Sequence, residues 1–426
     1  MTEAFLHYVW QHQMLTDGLT STDGQPIVVQ KAGQPNHDAG PDFFNAHISV
    51  GGVEWVGNVE IHMRASDWRR HGHSADAAYN NVVLHVVYEA DCDIELQNGR
   101  RPLTLELKHF LHPAIVANYD SLTAPDLCEP PYCRRRLGDV APMKVSAFLD
   151  RLAVERLEAK SQTVHRLLEE SRGGWEQVCY WLVARYLGGT ANAFAFELLA
   201  KATDLRLLAR WKDNPRRVEA LLMGQAGLLQ GYFEDDYPRQ LQADYEALQS
   251  GAGLRPMDSH LWKFYRLRPS AFPTIRISQL ASLVCRTGNM FPTLLVMKDV
   301  DKMEDLFMCE AADYWRSHYQ FDTTAASVGP KRVGKSQAHS LIINAWAPLL
   351  FVYGEAHGSQ ECKDQAIDLL SQLPPEDNAV IRRWRSSGVT AANAAESQAL
   401  LQLDKNYCQS RRCLQCRIGY YIINHR

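Results

Sequence analysis

The chain has 426 residues, 46% hydrophobic and 22% charged, which excludes a wholly disordered or collagen-like polypeptide and predicts two or three domains. Its net charge of −4 excludes a global basic field, so any surface for nucleic acid must be a local patch. The longest apolar stretch, residues 341–353, is too short and interrupted to span a bilayer, and the first residues lack the basic region of a secretory signal. The ten cysteines therefore read as reduced thiols or metal ligands in a cytoplasmic protein with no membrane partner.

Residues 1–118 read as an α/β domain. Helical spacing of Phe5, Leu6, Val9 and Trp10 predicts a helix over 3–14. A strand follows at 25–32. Phe43–Val50 alternates, with Phe44, Ala46, Ile48 and Val50 on one face, and Gly51-Gly52 turns it into a partner strand over 53–63. Residues 74–80 allow one or two helical turns, and Val82–Glu89 is apolar enough for a strand buried on both faces. Ile94 and Leu96, the pair Asn98-Gly99, then Leu103, Leu105 and Leu107 predict an extra β-hairpin.

Five prolines with Cys128 and Cys133 in 113–143 mark a Pro/Cys-rich linker, placed at 119–142. From there the periodicity is helical, giving a mostly α-helical domain over 143–403. Trp175–Leu187 reads as a central helix, Gly188-Gly189 can end it, and Thr190 or Asn192 can cap the next. A Cys-rich tail occupies 404–426.

The most pointed constellation is Gly40-Pro41-Asp42, followed one hairpin later by Glu60-Ile61-His62. Asn58, Glu60 and His62 share the strand face opposite Val59, Ile61 and Met63, and Asp42 enters the neighbouring strand. Two converging carboxylates suit Mg²⁺ or Mn²⁺, as phosphodiester hydrolysis requires. Paired acids on a sheet also serve simply to discourage edge-to-edge aggregation. Between strands, His71, His73 and Asp76 offer zinc or manganese ligand types that His62 and His85 can join. The preferred reading of the same loop is one tied by side-chain hydrogen bonds, with Asp67 or Ser74 as a cap and His85 as a satisfied core histidine.

The order helix–β–β–β–helix–β with these residues resembles the core of the PD-(D/E)XK nuclease superfamily, a restriction-endonuclease-like fold. The resemblance implies metal ligands at Asp42 and Glu60, an acid at Glu3 on the first helix, and catalysis by Asp42, Glu60 and the residue at His62. The superfamily has lysine at that last position, and Arg64 is the nearest cation on the same face. Over nearly its whole length the chain also resembles the bacterial domain-of-unknown-function family 2851. Residues 39–46, 57–62, 66–68, 79–88, 268–273 and 408–419 carry that likeness.

Cys408-x4-Cys413-x2-Cys416 can hold a structural zinc ion or an iron–sulfur cluster, with Cys128, Cys133 or His425 as the fourth ligand; three reduced thiols in a packed tail is the plain alternative. Residues 329–336 fit the phosphate-loop pattern letter for letter, but the preceding stretch is a poor strand and Pro330 removes an amide, so a simple turn before a helix is expected. Lys263, Arg266, Arg268 and Arg276 interleave with aromatics as single-strand binders do, and Arg206, Arg210, Lys212, Arg216 and Arg217 form a second cluster; solvated helix faces are the preferred reading of both. The expected activity is a metal-dependent phosphodiesterase (a nuclease) acting on nucleic acid. The alternative is a nuclease-like protein without catalysis that binds nucleic acid or a protein partner.

Overall fold

A computed structural model describes residues 1–36, 38–124 and 128–425, without the side chains of 250–252. Residues 125–127 of the expected linker and 426 of the tail lie outside the described residues. The chain divides into two compact units, one of 1–148, 383–389 and 403–426, the other of 149–382 and 390–402.

The first unit is a mixed α/β structure. Helix α1, Glu3–Gln11, begins at Thr2, whose hydroxyl accepts from the Phe5 amide, with Glu3 at the positive end of the helix dipole. It buries Phe5, Leu6, Val9 and Trp10 and packs on the sheet. Strands β1 (Ile27–Lys31), β2 (Gln34–Pro35), β3 (Phe43–Val50) and β4 (Val53–Arg64) follow. Next come helix α2 (Asp67–Arg70) and two 3₁₀ turns, then strands β5 (Val82–Glu89) and β6 (Leu103–Glu106). Sheet order is β1-β3-β4-β5-β6, with β2 paired to β3. The β1–β3 and β3–β4 pairs are antiparallel; β4–β5 and β5–β6 are parallel.

Two strand expectations are corrected. The register of β3 against β4 slips between Phe43 and Ala46, where Asn45 adopts φ 53°, so Phe43 and not Phe44 joins Ala46, Ile48 and Val50 in the core. The extra hairpin does not form. Leu96 and Arg100 close the Asn98-Gly99 turn, but Ile94 and Leu96 pack as loop residues with Trp68 and Tyr79, and β6 pairs parallel to β5. The first helical turn after β4 also starts earlier than expected, at Asp67.

The stretch read as a linker opens with helix α3, Pro113–Thr123, capped by His112 with proline at its first turn. Helix α4, Pro142–Glu170, follows. The tail folds within the first unit: its last helix, Arg417–Ile423, packs on α3, and the Asn118 amide donates to the carbonyls of Ile423 (3.2 Å) and His425 (2.8 Å).

The second unit is mostly helical. Trp175–Leu187 packs with Gly189–Ala202, Pro215–Gln225 with Asp236–Ala252 and Pro273–Thr287, and Ala347–Ala356 with Gln360–Gln372. The break at Gly188-Gly189 needs no side-chain cap; Asn192 instead bonds the backbone of Lys263. The phosphate-loop lookalike is a turn before a seven-residue helix, Lys335–Leu341, and Lys335 is paired with Glu304 at 3.0 Å. Among the described residues no helix is long and apolar enough to cross a membrane.

Candidate metal centre

The site forms where β3 begins and the middle of β4 passes it. Asn36 fixes the turn carrying Asp42: its side chain donates to the Pro41 carbonyl (3.1 Å) and its amide to the Asp42 carbonyl (2.7 Å). The two acids then clamp each other's backbone. The Asp42 amide donates to Glu60 Oε2 (3.0 Å), and the Ile61 amide donates to Asp42 Oδ2 (2.9 Å). The carboxylates expected to converge therefore do so.

Histidines complete the group. Glu60 Oε1 lies 3.2 Å from His73 Nε2 and 3.5 Å from His62 Nε2. His62 Nε2 is 3.1 Å from His71 Nδ1, and His62 Nδ1 is 2.9 Å from His85 Nε2. Among the described residues, His62, His71 and His73 are the one group of three whose ligand atoms all fall within 4.8 Å of one another. The parallel register of β4 and β5 sets Glu60 beside His85, which is how a histidine in an apolar strand reaches the site.

The loop between the strands is built to deliver His71 and His73. Asp67 accepts from the Arg64 amide (3.1 Å) and pairs with Arg70, while Ser66 is tied to Asp91 through its amide and hydroxyl. Gly72, at φ 80°, supplies the left-handed turn that sends both neighbouring rings inward. Trp68, fully buried, forms the floor, edge-on to His62, His73 and His85, and Tyr79 stacks on His73 at 3.9 Å. Glu60 (4% exposed) and His62 (1%) are buried, whereas His71 is exposed, so the group has a solvent side.

Electrostatics set the protonation states. Burial, then the charges of His73 and His71, lowers the His62 pKa to about 4, so this ring is neutral near pH 7 and free to ligate. His85 is pushed well down by burial and by His62 and His73. Burial raises Glu60, aided by Asp42 and opposed by the contact with His73. For His7 on α1, burial pulls downward, but contact with Asp42 and the charges of Asp42, Glu3 and Glu60 outweigh it, and the pKa rises.

His7 is the functional candidate that sequence reasoning missed. Its Nε2 stands 3.3 Å from Asp42 Oδ2, so the first helix meets the acid pair through His7, one turn beyond Glu3. The signal available was the i,i+4 stripe of Glu3 and His7. Other expected accessories lie elsewhere: Arg64 is exposed and pairs with Glu89 at 3.7 Å, and Asp76 caps a 3₁₀ turn by accepting from the Ala78 amide (2.8 Å). His85 is only half satisfied as a core residue, since its Nδ1 is buried without a hydrogen-bond partner.

In the tail, Cys408, Cys413 and Cys416 meet Cys133 around one pocket, while Cys128 is exposed and does not line it. In the second unit Lys263, Arg266 and Arg268 are exposed beside Tyr265, but Arg276 is half-buried and donates to Gln279 (3.0 Å). Of the other basic cluster, Arg206 pairs with Asp204, Arg216 with Asp244, and Arg210 and Arg217 lie over the Trp211 ring.

A family model described as "Protein of unknown function (DUF2851)" matches residues 3–379. No curated protein and no solved structure matches the chain.

Proposed function

We propose that this chain, which belongs to the DUF2851 family of proteins of unknown function, is a divalent-metal-dependent phosphodiesterase acting on nucleic acid. The carrying observation is the convergence of His62, His71 and His73 within 4.8 Å beside the Glu60 carboxylate. The chemistry of this donor set supports a metal. Neutral imidazoles suit Mn²⁺ or Zn²⁺ better than Mg²⁺, which demands oxygen ligands, so manganese is favoured over magnesium among the ions the acid pair first implied. When bound, such an ion supplies Lewis acidity and a water of lowered pKa.

The chain's own residues supply the rest. Glu60 orients His73, and His85 orients His62 from the outer side, as second-sphere partners of metal-binding histidines do. His62 stands where the nuclease superfamily has its lysine and, being neutral, carries no fixed charge. His7, raised in pKa beside Asp42, can bring positive charge to the acids instead. The element order α1, strands β1 to β4, helical turns and β5 supports the nuclease-like reading. So does the exposed run of Lys263, Arg266 and Arg268, where the Arg266 guanidinium lies 5.2 Å from the Tyr265 ring and both can grip a strand by charge and stacking.

One observation favours the second reading, a nuclease-like binding protein without turnover: Arg64, the nearest substitute for the lysine, is engaged with Glu89. Assays of single- and double-stranded DNA and RNA with Mn²⁺, Zn²⁺ or Mg²⁺ decide between them. Cleavage should occur with Mn²⁺ and fall by at least about a hundredfold in Glu60→Gln with the fold retained, while Arg64→Ala cleaves normally. No cleavage with any metal, alongside retained binding, establishes the second reading.

A further inference from the structure

We propose that Cys133, Cys408, Cys413 and Cys416 together hold an iron–sulfur cluster. This site is separate from the histidine group and does not depend on the hydrolytic reading. Cys133, Cys408, Cys413 and Cys416 form no disulfide, yet these four, from segments about 275 positions apart in sequence, line a single pocket with a cavity of about 20 Å³, walled also by Leu122 and Tyr132. Cys408 and Cys416 are each only 8% exposed.

Spacing selects the ligand. A tetrahedral zinc ion with bonds of roughly 2.3 Å sets its sulfurs about 3.8 Å apart. No three of these thiols have their sulfurs within 4.8 Å of one another, although the histidine trio meets that limit. Four thiolates set wider apart than one tetrahedral ion allows fit a polynuclear cluster, which takes Cys₄ ligation. The surroundings fit as well. Gly419 is required where the last helix starts, since a Cβ there would lie 2.0 Å from the Cys413 carbonyl oxygen, and this close approach folds the Cys413–Cys416 turn over the pocket. Arg412 also lines the pocket, a cation suited to the negative charge of a thiolate-ligated cluster. Loading is a ligand exchange from a cluster delivered on other thiolates: as four Fe–S(Cys) bonds form, the four S–H protons pass to the departing thiolates and no oxidation state changes.

The full chain, purified without oxygen, should contain about two or four irons with matching acid-labile sulfide, and should show visible charge-transfer absorption. Cys133→Ser and Cys413→Ser should lose both iron and colour, whereas Cys128→Ser keeps them. Zinc without sulfide, a cluster that survives in Cys133→Ser, or one lost in Cys128→Ser would overturn the assignment. Should the serine variants fail to fold, alkylation mapping of the wild-type chain decides. Cys133, Cys408, Cys413 and Cys416 should be protected until the cluster is removed and reactive afterwards, while buried Cys179 and Cys309 stay protected throughout; a different set gaining reactivity on removal refutes the proposal.

Discussion

The proposed division of the histidine group into ligands and supports is measurable at single side chains. His73→Ala should weaken Mn²⁺ or Zn²⁺ binding by more than about a hundredfold in calorimetric titration. His85→Gln, which removes only the outer partner of His62, should cost about ten- to a hundredfold. Equal losses in both would mean that His85 ligates directly. His7 is testable by charge: His7→Ala should slow cleavage while metal affinity stays within a few-fold, and His7→Lys should restore most of the rate. If His7→Ala abolishes metal binding instead, His7 is a ligand. The acid pair, His62, His71 and His73 were legible in the sequence because their types and strand positions point to metal chemistry. His7 was not, because a histidine on an amphipathic helix has the same spacing whether it faces a site or solvent.

Elements are held in register by a few buried polar ties. In the second unit Glu219, on the helix Pro215–Gln225, accepts from the Trp315 indole N–H (2.6 Å) and the Ser278 hydroxyl (2.8 Å), joining three segments at one carboxyl. Burial raises its pKa, opposed by those hydrogen bonds. Glu219→Ala should destabilise the unit by about 2–4 kcal/mol in urea denaturation, since it leaves two buried donors unpaired as well as a void, and Glu219→Gln should cost less. Secondary structure and the β3–β4 hairpin were largely readable from the sequence; the pairing of β6 was not. Alternation at Ile94, Leu96, Leu103 and Leu105 looks the same for a hairpin as for a loop followed by a parallel strand, and only the β5–β6 register distinguishes them. The Asn45 bulge was hidden for a related reason, because one inserted residue switches a strand's inner face without changing its composition.

At the scale of the whole molecule, the buried imidazoles make stability depend on pH. His62 titrates at about 4 when folded and near 6.5 when unfolded, so the unfolded chain takes up the proton first as pH falls. Stability should decline from about pH 6.5 and continue down to about pH 4, by on the order of 3 kcal/mol for His62 alone, with His85 acting in the same sense. His7 and Glu60, both raised, oppose part of this loss. Melting temperature measured across this range should fall toward acid, and the increase given by Mn²⁺ or Zn²⁺ should vanish there, since ligation needs neutral rings. A melting temperature flat from pH 7 to 4 would contradict the burial argument. The tail has a further consequence for biosynthesis. Tyr8, near the start of the chain, accepts from Asn424 near its other end (3.3 Å), and Asn118 grips the backbone at 423 and 425. A ribosome must therefore release more than 200 intervening residues before the first unit can close, so a nascent chain paused at residue 400 carries Asp42, Glu60 and the histidines in a unit still missing its last helix.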